Sequence, residues 1–284
     1  MGVSLSILLA LNKIFKLPVH PFNLSNEGDM TYAEWQYEKG ALTIDYYLKH
    51  ASIADMFNGK TVLDIGCGAA GKSLYYASLG ARRVVGMDVL EHYRKEAMAL
   101  AREKGFEDRF EFVCAEAADT GFEGGAFDTV IMNDAMEHVA KPEAVLRECL
   151  RLLAPGGRLY LNFPPYFHPY GAHLSDAIAI PWVHVLFPEK MLIAAYKRLA
   201  GGLPDGARRV ELRISKKAGG AEYLSFINRM TIRRFREILQ GLPADCTYYS
   251  EEPLRGFLRG VARLPGFREF FVKMVVAVLE PRKT

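Results

Sequence analysis

Gly66-Cys67-Gly68-Ala69-Ala70-Gly71-Lys72-Ser73, directly behind the apolar run Thr61-Val62-Leu63-Asp64-Ile65, decides how this chain folds. A short buried strand running into a cluster of glycines predicts a tight turn that opens a helix, because glycine turns without a Cβ penalty. The octet fits three patterns at once: G-x-x-x-x-G-K-S, G-x-G-x-x-G and, with Asp64, D-x-G-x-G. All three need the same strand, turn and helix. The turn alone does not choose its ligand.

The flanking sequence repeats the unit. Strands are expected over 60–65, 82–88, 110–115, 127–132 and 158–163, alternating with helices over 70–79, 91–104 and 142–153. Pro142 opens one helix, and Gly80 and Gly105 close two others. This rhythm of βαβ units predicts an α/β fold with a Rossmann-like doubly wound sheet, mostly parallel with an antiparallel last strand. Its ligands belong at the carboxyl ends of the strands. Four segments follow: a helical N-terminal cap over 1–59, the binding core over 60–163, a helical and aromatic insertion over 164–227 that would act as a substrate lid, and 228–284 completing the sheet. Within the cap a helix is expected over 32–50, and within the insertion over 188–199.

With 284 residues, 50% of them hydrophobic, the chain has ample material for a core. Its net charge of +3 comes from Lys and Arg scattered among apolar residues, which does not indicate a nucleic-acid surface. Cys67, Cys114, Cys149 and Cys246 form no C-x-x-C pair, as suits a reducing, cytoplasmic setting; no metal site is expected, and all four read as small buried apolar residues. The apolar stretch 3–17 lacks a basic leader and is interrupted by Asn12, Lys13 and Lys16. It predicts an amphipathic helix docked on the body or on a partner subunit, with a membrane surface as the alternative. A homodimer and peripheral membrane contact both stay open.

Two acids separate the three readings of the octet. Asp64, at the strand end, would repel a triphosphate or pyrophosphate and attract a cation. Asp88 closes the second strand about 20 residues past the turn, where an acid accepts ribose hydroxyls. A triphosphate site uses neither, although Val130-Ile131-Met132-Asn133-Asp134 imitates its metal-binding strand. On this reading Lys72 is a solvated helix residue. A nicotinamide site would use Asp88 but not Asp64, and no hydride-transfer constellation follows.

VLDIGCG at 62–68, the acid of GMDV at 86–89, CAEAADTGF at 114–122, FDTVIMNDAMEHV at 127–139 and LRLLAPGGRLYLNFP at 150–164 together resemble the class I S-adenosylmethionine-dependent methyltransferases. The likeness is to their small-molecule branch, which includes ubiquinone- and menaquinone-pathway enzymes, and covers about residues 60–163. It implies S-adenosyl-L-methionine as cofactor, with Gly66 and Gly68 against the methionine moiety and Asp88 on the ribose, while Asp64, by its charge, would face the donor's ammonium and sulfonium. Glu116, where the family usually has Asp, would meet the adenine amine. Ala117 would offer its backbone N–H to the ring, and Asn133 would lie beside the methionine part.

Asn162-Phe163-Pro164-Pro165-Tyr166 mimics the N-P-P-Y signature of base-flipping methyltransferases, but it follows the fifth strand and carries an inserted Phe163. Methyl transfer from a sulfonium chiefly requires alignment of donor and acceptor; a general base is needed only where the nucleophile carries a proton. His138 is the candidate base. Tyr166, His168, His173 and His184 of the insertion are candidate acceptor-binding residues. The expected function is methylation of a small molecule at oxygen, with nitrogen and carbon acceptors open. The alternatives are a non-catalytic S-adenosylmethionine-binding protein and a P-loop nucleotide triphosphatase.

Overall fold

The computed structural model describes residues 2–282 except 263 and 265. Its strands are β1 (Thr61–Ile65), β2 (Arg83–Asp88), β3 (Phe110–Cys114), β4 (Phe127–Asn133), β5 (Leu153–Phe163), β6 (Ile214–Lys216), β7 (Glu222–Leu224), β8 (Ala244–Pro253) and β9 (Val272–Pro281). Seven of them form one sheet in the order β3-β2-β1-β4-β5-β9-β8, and β6 and β7 pair separately. β1 runs parallel to both β2 and β4, every β1 residue is buried, and β9 pairs antiparallel with β5. The strand order reverses between β1 and β4. That is where a doubly wound sheet opens a crevice at its carboxyl edge.

The chain divides into two compact units. One comprises residues 30–163, 232–252 and 274–284, and holds the large sheet; the other comprises 1–29, 164–231 and 253–273. The helical cap expected over 1–59 is thus shared, its first half belonging with the insertion and its second half with the sheet.

In the sheet unit, the expected helices appear at Gly71–Ser78, Arg94–Lys104 and Pro142–Leu152, the second preceded by a single 3-10 turn. The helix from Pro142 buries Val145, Leu146, Cys149, Leu150 and Leu152, an apolar stripe at helical spacing. β5 starts at Leu153 instead of Arg158, because Pro155-Gly156-Gly157 is absorbed as an irregularity between the Phe127–Leu153 and Thr129–Arg158 pairings. The single helix expected over 32–50 is instead Tyr32–Glu38, Gly40–Ile44 and a run of turns. The break falls at Lys39, and Gly40 starts the next helix where a Cβ would stand 2.4 Å from the Tyr75 ring, so the glycine serves close packing at the expense of helix propensity.

In the other unit, the N-terminal helix ends at Asn12 and packs Leu8 into a core with Ile178, Leu192, Ile193 and Tyr196. Asn12 donates to the carbonyl of Ala177 and accepts from the N–H of Ala179 at 2.7 Å, fixing the helix end. The expected docking on the body is therefore met within this unit. Pro188 caps the helix Glu189–Ala200, as the proline suggested. The β6–β7 hairpin gives no alternation long enough to be read from sequence. Among the described residues no helix is long and apolar enough to cross a membrane.

Of the cysteines, Cys67 and Cys149 are buried, whereas Cys114 and Cys246 are exposed, which corrects their reading as buried apolar residues.

Candidate functional site

The glycine loop is built as its sequence required. Gly66 has φ 72° and Gly68 φ 56°, both left-handed, and a Cβ on Gly66 would lie 2.6 Å from that of Ala135. The N–H groups of Gly66 and Cys67 both donate to the carbonyl of Met87, which ties the loop to the end of β2. Asp88 finishes that tie. Its Oδ2 accepts from the Gly68 N–H at 2.8 Å and its Oδ1 from the Leu90 N–H at 2.9 Å. Burial raises its pKa, and these backbone bonds pull the other way.

Asp64 is 3% exposed and accepts the Ser73 hydroxyl at 2.6 Å; no backbone N–H is needed to explain its place. Burial pushes its carboxyl up to about 6, against the Ser73 hydrogen bond and the Lys72 charge. Lys72 is not solvated: only 12% of its side chain is exposed, and its ammonium pairs with Asp134 at 2.8 Å. Burial lowers its pKa, but Asp134, with Asp64 and Glu137 behind it, more than offsets this, so the ammonium stays charged. Asp134 itself has φ 52°, a strained conformation of the kind that collects at functional sites. Burial, then the charge of Asp134, drives the Glu137 carboxyl well above its usual range.

The helix Tyr32–Glu38 closes over the loop. Gln36 donates from Nε2 to the Cys67 carbonyl at 3.1 Å and accepts the Gly71 N–H on Oε1 at 3.2 Å; the Tyr32 ring lies 3.2 Å from where a Gly68 Cβ would be. Sequence reasoning placed a cap ahead of the site but missed Gln36 and Tyr32. A Gln in an aromatic helix carries no motif.

These contacts exclude a phosphate loop. The three groups that would hold a triphosphate, the Gly71 N–H, the Lys72 ammonium and the Ser73 hydroxyl, are taken by Gln36, Asp134 and Asp64. Three aspartates, Asp64, Asp88 and Asp134, lie at this corner of the sheet with one ammonium, and such a field favours a cationic ligand.

A methyltransferase-domain family model matches residues 63–161, the span from β1 to β5. Residues 63–161 are thus similar to a methyltransferase domain, and the sheet they build has the fold of S-adenosylmethionine-dependent methyltransferases. The chain is 36% identical over 127 residues to the ubiquinone biosynthesis O-methyltransferase of Chromobacterium violaceum, covering 44% of this chain and 52% of that protein. To the norajmaline N-methyltransferase of Rauvolfia serpentina it is 31% identical over 123 residues, 43% of this chain and 42% of that one. The chain spans about half the length of these relatives. A geranyl diphosphate methyltransferase solved with S-adenosylmethionine shares the fold at a TM-score of 0.55, with 15% identity over 87% of this chain and 85% of that one.

The donor that such a domain uses is S-adenosylmethionine, and the residues at the carboxyl edge of the sheet fit it. A sulfonium and an ammonium suit the acid-rich corner, and Gly66 and Gly68 let the turn pack closely against Ala135, Gln36 and Tyr32. Glu116 is exposed just past β3 and folds back in an isolated bridge to Asp119, with Ala117 half-buried beside it. Asn133 ends β4. Its amide oxygen accepts from Tyr47 and from Asn162 Nδ2 at 2.6 Å, and its nitrogen donates to Tyr76 at 2.9 Å, so the side chain is engaged in a buried network. Asn162 belongs to that network too, and Phe163 packs on Phe235 at 4.9 Å, so the N-P-P-Y mimic is structural.

His138 lies beyond β4 with Nε2 3.8 Å from Glu137 Oε1 and a quarter of its side chain exposed. Tyr166, His168, His173 and His184 all belong to the other unit. There Tyr166 and His184 line a cavity of ≈340 Å³ with Phe187, Glu189, Leu192 and Arg229, their rings 4.8 Å apart. His168 accepts the Tyr170 N–H on Nδ1 at 3.2 Å. Burial pushes His168 and His184 down to about 4, so both are neutral and weakly basic at pH 7. His173 has φ 53° and gives its carbonyl to Arg213 Nε.

Proposed function

We propose that the chain transfers a methyl group from S-adenosylmethionine to an oxygen of a small apolar or aromatic molecule. The observation that carries this is the engagement of Gly71, Lys72 and Ser73 by Gln36, Asp134 and Asp64, in a corner whose aspartates favour a cationic donor. The relatives named as ubiquinone biosynthesis O-methyltransferases support the oxygen acceptor. Bound there, the donor supplies an electrophilic methyl on sulfur. Asp64 and the glycine loop would hold its methionine end, Asp88 its ribose, and Glu116 and Ala117 its adenine.

The chain's own part is alignment, together with removal of a proton from a hydroxyl acceptor. His138, steadied by Glu137, is proposed as that base. His168 and His184, weakly basic, suit hydrogen bonding to the acceptor better than proton abstraction. Acceptor recognition by Tyr166, His168, His173 and His184 is part of the same proposal, supported by the aromatic and histidine content of 164–227 and by the cavity that Tyr166 and His184 line. Work at a membrane surface and self-association as a homodimer are its finer parts.

Calorimetry with S-adenosylmethionine, ATP with magnesium, and NAD tests the donor, and only the first should bind. Formation of S-adenosylhomocysteine with phenolic acceptors tests the reaction. Donor binding without turnover on any oxygen, nitrogen or carbon acceptor would favour a non-catalytic role.

A further inference from the structure

We infer that residues 254–273, with residues 13–19 of the same unit, dock on an anionic lipid bilayer, which rests on the reading of a chain that works at a membrane surface. Residues 254–273 are held at their ends. The Leu254 N–H donates to the Phe271 carbonyl at 2.9 Å, Phe270 meets the Phe167 ring at 5.2 Å, and Phe271 meets Trp182 at 6.1 Å. Between these anchors Phe257 is 80% exposed, and Leu264 and Phe267 are each more than half exposed. Leaving three large apolar side chains in water on one short segment is the mark of an interaction surface.

The charges say what covers it. Among the described side chains, residues 254–273 carry Arg255, Arg268 and Lys273 against Glu269, and the exposed run Ile14, Phe15, Leu17 and Val19 is interleaved with Lys13 and Lys16. Apolar side chains set among cations match acyl chains beneath anionic headgroups. A second copy of the same surface would bring like charges together, which opposes self-association here.

The test is co-sedimentation of the intact chain with vesicles of phosphatidylcholine alone and of phosphatidylcholine mixed with phosphatidylglycerol. The expected result is binding to the anionic vesicles, weak binding to the neutral ones, and release by salt. The double substitution Phe257→Glu with Phe267→Glu should weaken binding by about tenfold or more, while Leu42→Glu, an exposed apolar position in the sheet unit, should leave it unchanged. Far-ultraviolet circular dichroism and S-adenosylmethionine calorimetry on each variant show that the fold and donor site persist, so a failed methyltransferase reading and a failed membrane reading give different results. Absence of wild-type binding to the anionic vesicles, equal binding by the double variant, or a dimer in sedimentation velocity that the double variant abolishes without loss of vesicle binding would each overturn the inference.

Discussion

Lys72 Nζ stands 2.8 Å from Asp134 Oδ2, joining the first turn of the helix behind β1 to the residue that follows β4. The pair bridges the two central strands at their carboxyl ends, where the order of the sheet reverses. It is also the local counterweight to Asp64 and Glu137, whose charges both support the Lys72 ammonium.

Lys72→Met removes that counterweight. Because Lys72 is largely buried while Asp134 is 43% exposed, the loss should fall between surface and buried ion pairs, at about 1–3 kcal/mol. Urea unfolding of Lys72→Met, Asp134→Asn and the double variant should give a positive coupling energy. Additive single effects would show that the ammonium is held by the acid field in general and not by Asp134.

Lys72 also shows where the sequence stops being legible. The sheet could be read because βαβ spacing and glycine turns are local signals, and Asp64 and Asp88 because each sits at a fixed offset from the loop. The Lys72–Asp134 pair joins residues 62 apart, and the Gln36–Gly71 bond residues 35 apart. Such contacts exist only once β1 has taken β4 as its neighbour and one helix has packed on another. Asn133 illustrates the converse: its place at a strand end was legible, but the tyrosines that turn its amide inward come from residues 47 and 76.

Asp64 sets a pH dependence whose sign follows from burial. Its carboxyl rises from 3.8 to about 6 in the folded chain. Between those values the folded state holds a proton that the unfolded state has released, so stability falls as pH rises through this window and the penalty persists above it. The shift corresponds to about 3 kcal/mol. Asp64→Asn, which still accepts from Ser73, should therefore match the wild type at acid pH and exceed it in urea resistance at alkaline pH, while binding S-adenosylmethionine more weakly. An unchanged pH profile would assign the window to another group. Glu137, raised well above its usual range by the same burial, is the first alternative.

Asp176 should matter most to the other unit. It is buried between Arg209 and Arg213, with N–O separations of 3.2 and 3.3 Å, and accepts the Tyr196 hydroxyl at 2.8 Å. Its carbonyl accepts Asn23 Nδ2, and Arg209 Nη1 donates to Asn23 Oδ1, so the cluster also holds the segment before Asp29. Asp176→Asn keeps the shape and leaves two buried guanidiniums without their shared anion, which should cost about 3–5 kcal/mol. Urea unfolding measures the loss, and limited proteolysis should cut residues 13–29 earlier. A stability within 1 kcal/mol of wild type, roughly the range of a surface substitution, would mean that the guanidiniums find other partners.

Gly71 separates two readings of the opening octet by the sign of one substitution. Its φ is not left-handed, so if it were only the solvated start of a helix, alanine would stabilise by up to about 1 kcal/mol through helix propensity. In the structure a Cβ there would lie 1.9 Å from the Ala33 carbonyl oxygen and 2.6 Å from the Tyr37 nitrogen. Both are backbone atoms of the helix Tyr32–Glu38, which cannot yield as a flexible side chain would. Gly71→Ala must push that helix outward, breaking the Gln36 bonds to Cys67 and Gly71, and should destabilise by about 1–3 kcal/mol or more. Trp35, in the displaced helix, supplies a fluorescence change that a purely local effect at residue 71 would not produce. A stabilised variant with unchanged Trp35 emission would mean that the cap does not rest on the glycine loop.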